Sequence, residues 1–371
     1  MTTIEWTEDD VERTALWRSE SATPPPRKVV VADDRTRADD AYRLACEGTA
    51  LLWRGDFHNA RQLLAAMARR IDRRPAKAVS DDPAQTFHRH RAAQNHRARI
   101  LGMLLVPLAP DGTVPLSRAP DVREVIGQSY GDTTTESVVA LRELLGLIGA
   151  YEWRKKGVAI PALDGDRIFP SYGVFSPARG EYIDLVGQED LPSTDLAFDI
   201  GTGTGVLAAV LVKRGIPRVI ATDQDVRALD CARENLARLG FADRVDVIEA
   251  DLFPPGRSGL VVCNPPWLPA KPTSPVEFAV YDPGSRMLLG FLDGLSEHLT
   301  EGGEGWLILS DLAEHLGLRT RDQLLAMFAA AGLSVLGRSD IAPRHRKSRD
   351  TSDPLHAARA AEITSLWRLG V

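Results

Sequence analysis

A short apolar run that ends in alternating glycines constrains the fold of this chain more than any other feature. Residues 196–205 read LAFDIGTGTG, and an apolar stretch over residues 206–212 follows them. Glycine adopts positive φ and lets a ligand approach the backbone, while the start of a helix presents unpaired N–H groups. The pattern predicts a strand, a tight turn and a helix that together hold a nucleoside-bearing cofactor. The dinucleotide fingerprint G-x-G-x-x-G is excluded, because its third glycine position is Val206.

Acidic residues follow the next two apolar strands. Asp223 ends a strand predicted at 218–222, and Asp251 ends one predicted at 245–250. The carboxyl ends of parallel strands share one edge of a sheet, so both acids are expected in a single ligand crevice. There Asp223 can accept hydrogen bonds from two ribose hydroxyls, and Asp251 can accept one from an adenine amino group. The simpler alternative is that each aspartate only caps the helix that follows it.

A second motif, NPPW at residues 264–267, ends the apolar run 259–263. Its prolines have a fixed φ and no N–H group, so we expect the carbonyl oxygens of Asn264 and Pro265 to stay free of local hydrogen bonds. Trp267 adds a flat apolar wall beside them. Two hydrogen-bond acceptors in one plane can bind both N–H groups of a planar NH2 group, while the aromatic ring stacks on its face. The motif therefore favours transfer of a group to nitrogen. The alternative is a proline turn with Trp267 in the core.

Four segments together resemble the class I S-adenosylmethionine-dependent methyltransferases: DIGTGTG at 199–205, ATD at 221–223, ADLF at 250–253 and NPPW at 264–267. They are most similar to the small-domain branch, which includes release-factor glutamine methyltransferases and ribosomal-RNA N-methyltransferases. Two further segments, 172–182 and 282–289, resemble the stretch before the cofactor domain and the stretch that leads into the fourth main helix of that branch. The resemblance extends over residues 166–371.

The resemblance implies roles for individual residues. S-adenosylmethionine is the implied cofactor, and its implied contacts are Asp199, Gly201, Thr202, Gly203, Gly205, Asp223, Asp251, Leu252 and Asn264. Methyl transfer is implied at Asn264, Pro265 and Trp267, and the methyl acceptor is implied to contact Tyr172, Phe175, Arg179 and Trp267. The residue after the two prolines is usually Tyr or Phe in this branch. Trp267 is therefore a departure that bears on the identity of the acceptor.

Strands and helices alternate over the second half of the chain, which predicts an α/β fold with a doubly wound, seven-stranded, mostly parallel sheet. Strands are expected at 196–200, 218–222, 245–249, 259–263, 304–310, 332–337 and 361–368. Helices are expected at 205–214, 225–239, 284–299 and 320–330. The resemblance adds that the final strand runs antiparallel between the fifth and the sixth.

Residues 1–150 carry apolar side chains at helical spacing and are predicted to form a mainly helical accessory domain that recognises the substrate. Helices are expected at 7–18, 38–47, 57–71, 86–105 and 133–150. A linker that covers the cofactor is expected at 151–190, and the cofactor-binding domain at 191–371.

Charge is concentrated in one part of an otherwise acidic chain. The net charge is −6 and the isoelectric point is near 5.8, which argues against extended binding of duplex DNA. Residues 51–100 nevertheless hold 11 basic and 4 acidic residues, and residues 344–349 form a second basic loop. These segments can contact a folded RNA or an acidic protein, or can simply be solvated surface.

The remaining composition indicates a cytoplasmic protein without a membrane span. No apolar run approaches the roughly 18 residues that cross a bilayer, and the first ten residues are acidic where a signal peptide would be basic. Cys46, Cys231 and Cys263 are far apart in sequence and show no metal-ligand spacing. We therefore expect reduced, buried cysteines and no bound metal.

Three functions agree with these patterns. The first is N-methylation of a planar amide or aryl nitrogen in a protein, such as a glutamine, or in an RNA base. The second is N- or O-methylation of a small molecule of secondary metabolism, which an enclosed apolar pocket would favour. The third is a non-catalytic cofactor-binding subunit, which would require a broken acceptor motif, whereas NPPW is intact.

Overall fold

The computed structural model describes residues 2–73, 80–131, 134–272, 277, 279–344 and 346–371. The chain divides into two compact units. The first unit comprises residues 1–79 and 88–152, and the second comprises residues 80–87 and 153–371. The role of substrate recognition that the sequence suggests for residues 1–150 stays a prediction.

A six-stranded mixed sheet lies at the centre of the first unit. Its strands are β1 (Thr3–Glu8), β2 (Val11–Arg18), β3 (Lys28–Ala32), β4 (Thr49–Trp53), β5 (Leu104–Leu108) and β6 (Ser137–Ala140). They are arranged in the order β1-β2-β6-β5-β4-β3, with antiparallel pairs at β1–β2 and β5–β6 and parallel pairs elsewhere. The helices of this part of the chain are α1 (Ala38–Cys46), α2 (Phe57–Asp72), α3 (Pro83–Leu101), α4 (Arg123–Tyr130) and α5 (Leu141–Lys156).

The prediction of a mainly helical amino-terminal domain is wrong, because this sheet forms its centre. Residues 7–18, expected as a helix, belong instead to the hairpin of β1 and β2. Asp9 and Asp10 have φ values of 52° and 58° and connect Glu8 to its cross-strand partner Val11. A two-residue loop with positive φ at both positions is the turn that best matches the twist of a hairpin. The acidic residues thus form a turn, and not the first turn of a helix.

A second error concerns residues 133–150. Thr133 lies outside the described residues, Ser137–Ala140 is strand β6, and the helix begins only at Leu141. All four residues of β6 are buried, as is typical of a strand covered on both faces. The helices expected at 38–47 and 57–71 correspond to α1 and α2. The helix expected at 86–105 corresponds to α3, but α3 ends at Leu101 and residues 104–105 belong to β5.

The second unit is built on a seven-stranded sheet. Its strands are β9 (Leu196–Ile200), β10 (Arg218–Asp223), β11 (Val245–Glu249), β12 (Ser258–Cys263), β13 (Leu299–Ser310), β14 (Ser334–Ile341) and β15 (Thr364–Gly370). A short hairpin of β7 (Val158–Ala159) and β8 (Arg167–Ile168) precedes it. The helices are α6 (Glu181–Gln188), α7 (Val206–Lys213), α8 (Val226–Arg238), α9 (Arg286–His298), α10 (Leu312–His315), α11 (Arg321–Ala330) and α12 (His356–Ala361).

The predicted topology of this sheet is confirmed. The strand order is β11-β10-β9-β12-β13-β15-β14, and β15 runs antiparallel to both of its neighbours while the other pairs are parallel. Helices cover both faces, and side chains alternate between them. In β12, Leu260 and Val262 pack into the core beneath α7 and α8, whereas Val261 and Cys263 pack into the core beneath α9 and α11. This two-sided burial explains the continuous apolar strands.

Three strand ends lie side by side at the carboxyl edge of the sheet. Ile200, the last residue of β9, pairs with Thr222 of β10 on one side and with Cys263 of β12 on the other. Adjacent strands are about 4.8 Å apart. The order of the strands reverses between β9 and β12, and ligands of such sheets bind at this switch point. The glycine turn and the NPPW motif therefore start as immediate neighbours.

Candidate cofactor and acceptor site

The glycine turn connects β9 to α7 through three residues with positive φ, Gly201, Gly203 and Gly205. A Cβ atom added at Gly205 would lie 3.2 Å from Ala232 of α8, so this glycine lets the two helices pack closely. A Cβ added at Gly203 would meet no atom within 4 Å. Residues other than glycine rarely adopt a φ of 55°, the value observed at Gly203, and the open space beside its Cα suits close approach of a ligand.

The Asp223 carboxylate lies directly beside this turn. Its Oδ2 accepts from the backbone N–H of Gly203 at 3.0 Å, and its Oδ1 accepts from the N–H of Asp225 at 3.0 Å. Burial raises the pKa of this carboxyl group above its usual range. A carboxylate offers about four acceptor positions, so Asp223 retains the capacity to accept from a pair of hydroxyl groups. This geometry agrees with the predicted ribose contact, which stays a prediction.

Asp199 stabilises the glycine turn through hydrogen bonds. It is 1% exposed, and its Oδ2 accepts from the Thr202 hydroxyl at 2.7 Å and from the N–H of Ala208 at 3.0 Å. Its Oδ1 is buried and has no hydrogen-bond partner among the described residues. Burial raises the pKa of Asp199 to about 6, mainly because the charged form loses its hydration. Asp199 thus stabilises the turn through Oδ2, while Oδ1 can still accept a hydrogen bond.

The pKa of Asp199 gives a testable dependence of stability on pH. Because its pKa is higher in the folded protein than in the unfolded chain, its contribution is most favourable below about pH 4 and is lost as the pH rises to about 6. We expect Asp199→Asn, which cannot ionise, to lack this loss of roughly 3 kcal/mol. Urea unfolding of both proteins between about pH 4 and pH 8 measures the difference. A constant difference across that range would contradict a raised pKa.

A hydrogen bond connects the end of β10 to the loop that follows β11. The Thr222 hydroxyl donates to the carbonyl oxygen of Leu252 at 2.5 Å, and Leu252 has a φ of 77°. Asp251 is exposed, and its carboxylate accepts from the Arg286 guanidinium at 2.6 Å. The structure thus places Leu252 against the strand ends, whereas Asp251 lies at the surface in an ion pair. The predicted contact between Asp251 and an adenine stays a prediction.

The NPPW motif follows β12 as expected, but its asparagine is not free of local structure. The indole N–H of Trp267 donates to Oδ1 of Asn264 at 2.9 Å. Asn264 and Trp267 are half-buried, and Pro265 is buried. The Trp267 ring packs against the cores on both faces of the sheet. We expected the carbonyl oxygens of Asn264 and Pro265 to form no local hydrogen bond. This expectation is wrong for Asn264, because its Oδ1 already accepts one hydrogen bond from Trp267.

Sequence reasoning assigned no role to Asp282, although it fixes the helix that covers the glycine turn. Its buried carboxylate accepts from the N–H groups of Met287 and Leu288, at 2.9 and 3.2 Å, and so stabilises the start of α9. A Cβ atom on Gly201 would lie only 2.4 Å from the Met287 methyl carbon. The Met287 methyl group can move, but the φ of 72° at Gly201 is one that residues with a Cβ rarely adopt, and it is this conformation that favours glycine.

Asn235 is a second residue that sequence reasoning missed. It is buried in α8, where its side-chain oxygen accepts from the N–H of Phe169 at 2.8 Å. Its side-chain nitrogen donates to the carbonyl of Thr204 in the glycine turn at 3.1 Å. One amide thus joins the turn to the segment that precedes α6. The available signal was a polar residue on the apolar face of an amphipathic helix, beside Ala232 and Leu236.

The predicted acceptor contacts Tyr172, Phe175 and Arg179 lie in the irregular chain between β8 and α6. The Phe175 ring packs against the core, with its centroid 6.3 Å from that of Tyr182. Arg179 lies 3.8 Å from the buried carboxylate of Glu362, just before β15. The structure therefore anchors Phe175 and Arg179 to the second unit, while their contact with an acceptor stays a prediction.

The basic loop at 344–349 is less available to an anion than its sequence suggests. The backbone N–H of Arg344 donates to Glu181 at 2.5 Å, and its guanidinium donates to Asp184 at 3.0 Å. Both acids lie in α6. His345 lies outside the described residues, as do the side chains of Arg346 and Lys347. Part of the positive charge is thus neutralised within the second unit.

Among the described residues, no three His, Cys, Asp or Glu side chains lie close enough together to hold a metal ion. No helix there is long and apolar enough to span a membrane. The three cysteines are free thiols. Cys231 and Cys263 are buried, which raises the pKa of both, whereas Cys46, also expected to be buried, is only half-buried.

Residues 168–311 match the family model described as "Methyltransferase small domain". This segment contains the glycine turn, Asp223 and the NPPW motif. This part of the chain is therefore similar to methyltransferases of the small-domain type. Among solved structures, a ribosomal protein L11 methylase from Lactobacillus delbrueckii subsp. bulgaricus aligns at 18% identity with a TM-score of 0.39, over 56% of this chain and 86% of that one.

Three curated relatives align with parts of the chain. The release factor glutamine methyltransferase of Cereibacter sphaeroides is 34% identical over 172 residues, which are 44% of this chain and 58% of that protein. The tRNA1(Val) (adenine(37)-N6)-methyltransferase of Bacteroides thetaiotaomicron is 38% identical over 75 residues, or 19% of this chain and 32% of that protein. The ribosomal protein L11 methyltransferase of Vibrio cholerae is 33% identical over 134 residues, or 36% and 43%. The chain thus spans less than two thirds of each.

Proposed function

We propose that this protein transfers a methyl group from S-adenosylmethionine to a planar NH2 nitrogen, either a glutamine amide in a protein or an aryl amine of an RNA base. One observation carries the proposal. Ile200 and Cys263 are paired residues of adjacent parallel strands, so the glycine turn and Asn264 begin about one strand spacing apart. The turn that holds the methyl donor and the motif that holds the acceptor therefore meet at one point.

The residues at the strand ends fit the cofactor. Asp223 has spare acceptor positions for the ribose hydroxyls, and the backbone at Gly203 allows close approach. Oδ1 of Asp199 is a buried acceptor that has no partner among the described residues, which suits the positive charge of the methionine moiety. S-adenosylmethionine supplies an electrophilic methyl group whose leaving sulfur departs neutral. The protein therefore needs no acid for the leaving group.

The protein's contribution is to align and activate the acceptor nitrogen. The remaining lone pair of Asn264 and the carbonyl of Pro265 accept one N–H bond each from a planar NH2 group. These two bonds would hold the nitrogen for in-line attack on the methyl carbon of the cofactor. They also favour the positive charge that develops on nitrogen as the new bond forms, and this charge is removed when the nitrogen releases one of its protons to water. The planar amide or base of the methyl acceptor stacks on the Trp267 ring.

The relatives support a macromolecular acceptor, because their names specify a release-factor glutamine, a tRNA adenine and a ribosomal protein. The direct test is methyl transfer from tritiated S-adenosylmethionine to glutamine-containing release-factor protein, to bulk tRNA and to ribosomal proteins. A library of small aromatic amines and phenols is assayed in parallel. Label in one macromolecular fraction supports the proposal, whereas label confined to small molecules would overturn it.

We also propose that exposed arginines of α3 contribute to binding if the acceptor is RNA. Arg89 and Arg99 are exposed, and Arg97, which is half-buried, forms an ion pair with Asp72. We expect Arg89→Ala/Arg99→Ala to weaken tRNA binding and to lower the slope of log affinity against log salt by about one to two. Arg142→Ala removes an exposed charge in α5 and is the control. Filter binding at salt concentrations from about 50 to about 300 mM measures both variants.

Unchanged affinity and slope in the α3 variant would remove the charge-based support for an RNA acceptor. Equal losses in the α3 variant and in the Arg142 control would show that net charge alone is responsible. Either outcome would make a protein the preferred acceptor.

A further inference from the structure

The hydrogen bond inside the NPPW motif suggests a second role for its tryptophan. The Trp267 indole N–H points at Oδ1 of Asn264 at a distance of 2.9 Å. An indole nitrogen can only donate, so its partner has to be an acceptor. The two ends of an asparagine amide have nearly the same shape but opposite hydrogen-bonding character. The indole therefore selects which end of the Asn264 side chain faces it.

This selection matters at the position where Asn264 stands. A carbonyl oxygen has two lone pairs. Oδ1 can therefore accept a hydrogen bond from the indole and a second one from the NH2 group that is to be methylated. If the amide turned over, it would present its own NH2 group to the incoming NH2 group, and two donors would face each other. The half-buried site would then contain unsatisfied polar groups, which is costly.

We propose that Trp267 is a positioning residue, and that its indole N–H holds the Asn264 amide in the orientation that accepts from the substrate. This inference rests on the proposed transfer to nitrogen. It differs from a stacking role, because Phe or Tyr also stacks but has no N–H group at the indole position. The Trp267 ring is also held in place by the two cores it packs against. The donor is therefore fixed before a substrate arrives.

A double-mutant cycle separates positioning from stacking. Trp267→Phe removes the N–H group, and Asn264→Asp replaces the amide with a carboxylate, whose two oxygens are equivalent. With Asn264 present, we expect Trp267→Phe to lower kcat about tenfold, the scale of one hydrogen bond. In the Asn264→Asp background, the same change should lower kcat less than about threefold, because no orientation remains to be selected. Loss of stacking raises KM equally in both backgrounds.

The kinetic outcomes are distinct. Equal kcat losses in the two backgrounds would overturn the proposal and leave Trp267 with a stacking role only. A higher kcat in Trp267→Phe would also overturn it, because the indole would then compete with the substrate for Asn264. Rates are measured in single turnovers with tritiated S-adenosylmethionine and the macromolecule that is labelled in the acceptor screen.

NMR spectroscopy tests the hydrogen bond between Trp267 and Asn264 in the absence of a methyl acceptor. The result therefore does not depend on the proposed function. The indole N–H signal of Trp267 is assigned in a 15N spectrum as the one that Trp267→Phe removes. We expect Asn264→Ala to shift this signal and to speed its exchange with water at least about tenfold, since a hydrogen bond has been lost. We expect Trp267→Phe to shift the side-chain NH2 signals of Asn264. Spectra without these changes would show that the indole does not hold Asn264.

Discussion

Asn264→Ala should lower the rate of methyl transfer by about 10²-fold or more, the scale seen when one preorganised transition-state contact is removed. Its affinity for S-adenosylmethionine should stay close to that of the unmodified protein. The reason is the position of the residue. Although the resemblance also implies a cofactor contact for Asn264, this residue follows Cys263 at the end of β12, whereas the predicted ribose and methionine contacts follow β9 and β10. Alanine removes the acceptor for the substrate N–H and leaves those strand ends unchanged.

Single-turnover rates and calorimetric titration with the cofactor measure the two quantities separately. Asn95→Ala, which changes an exposed asparagine of α3, is the matched control. Near-normal transfer by Asn264→Ala would mean that the motif is only a structural turn. A fall in cofactor affinity as large as the fall in rate would mean that Asn264 contacts the cofactor and not the acceptor.

The second half of the chain could be predicted because its signals are local. The glycine turn, Asp223 and Asn264 lie at the carboxyl ends of short, largely apolar strands. The glycines at 201, 203 and 205 and the acid at 223 therefore specify the turn and its neighbour without knowledge of distant contacts. The predicted antiparallel last strand came from the family resemblance, and it is confirmed.

The first unit was harder to predict, because three of its strands give no alternating pattern. The runs KVVVA, TALLW and LLVPL at β3, β4 and β5 are continuous and apolar. Continuous apolar runs arise in buried strands and in buried helices alike, so periodicity does not distinguish them. Asp9 and Asp10 favour both the first turn of a helix and a hairpin turn with positive φ. The pairing of β1 with β2 decides between the two.

The fine structure of the site depends on contacts between distant residues. Asn235 reaches the glycine turn from a helix 31 residues further along the chain, and Met287 covers Gly201 from α9. The bond between Trp267 and Asn264 is local, yet it depends on the side-chain rotamers that the two cores impose. Sequence predicts which residues meet at the edge of the sheet. It does not predict which of their atoms are already bonded to each other.

Asp223→Ala should weaken binding of S-adenosylmethionine by several kcal/mol, which is a loss of at least about 30-fold. Each buried hydroxyl left without its acceptor costs roughly 1–3 kcal/mol, and two are expected to bind this carboxylate. Calorimetric titration of the purified protein measures the affinity directly. The expected loss exceeds that of any other single change at the cofactor crevice, because the same carboxylate also accepts from the N–H of Gly203 and holds the turn in place.

Two controls distinguish loss of the ribose contact from damage to the turn. Asp225→Ala removes an acid two residues away that caps α8 through its bond to the N–H of Arg227 at 3.0 Å and lies 3.7 Å from the Arg227 guanidinium. It should cost about 1 kcal/mol of stability and leave cofactor affinity intact. Asp223→Asn keeps one acceptor oxygen and should recover part of the affinity. If Asp223→Ala binds the cofactor as tightly as Asp225→Ala does, Asp223 does not hold the ribose, and its two backbone hydrogen bonds are its whole role.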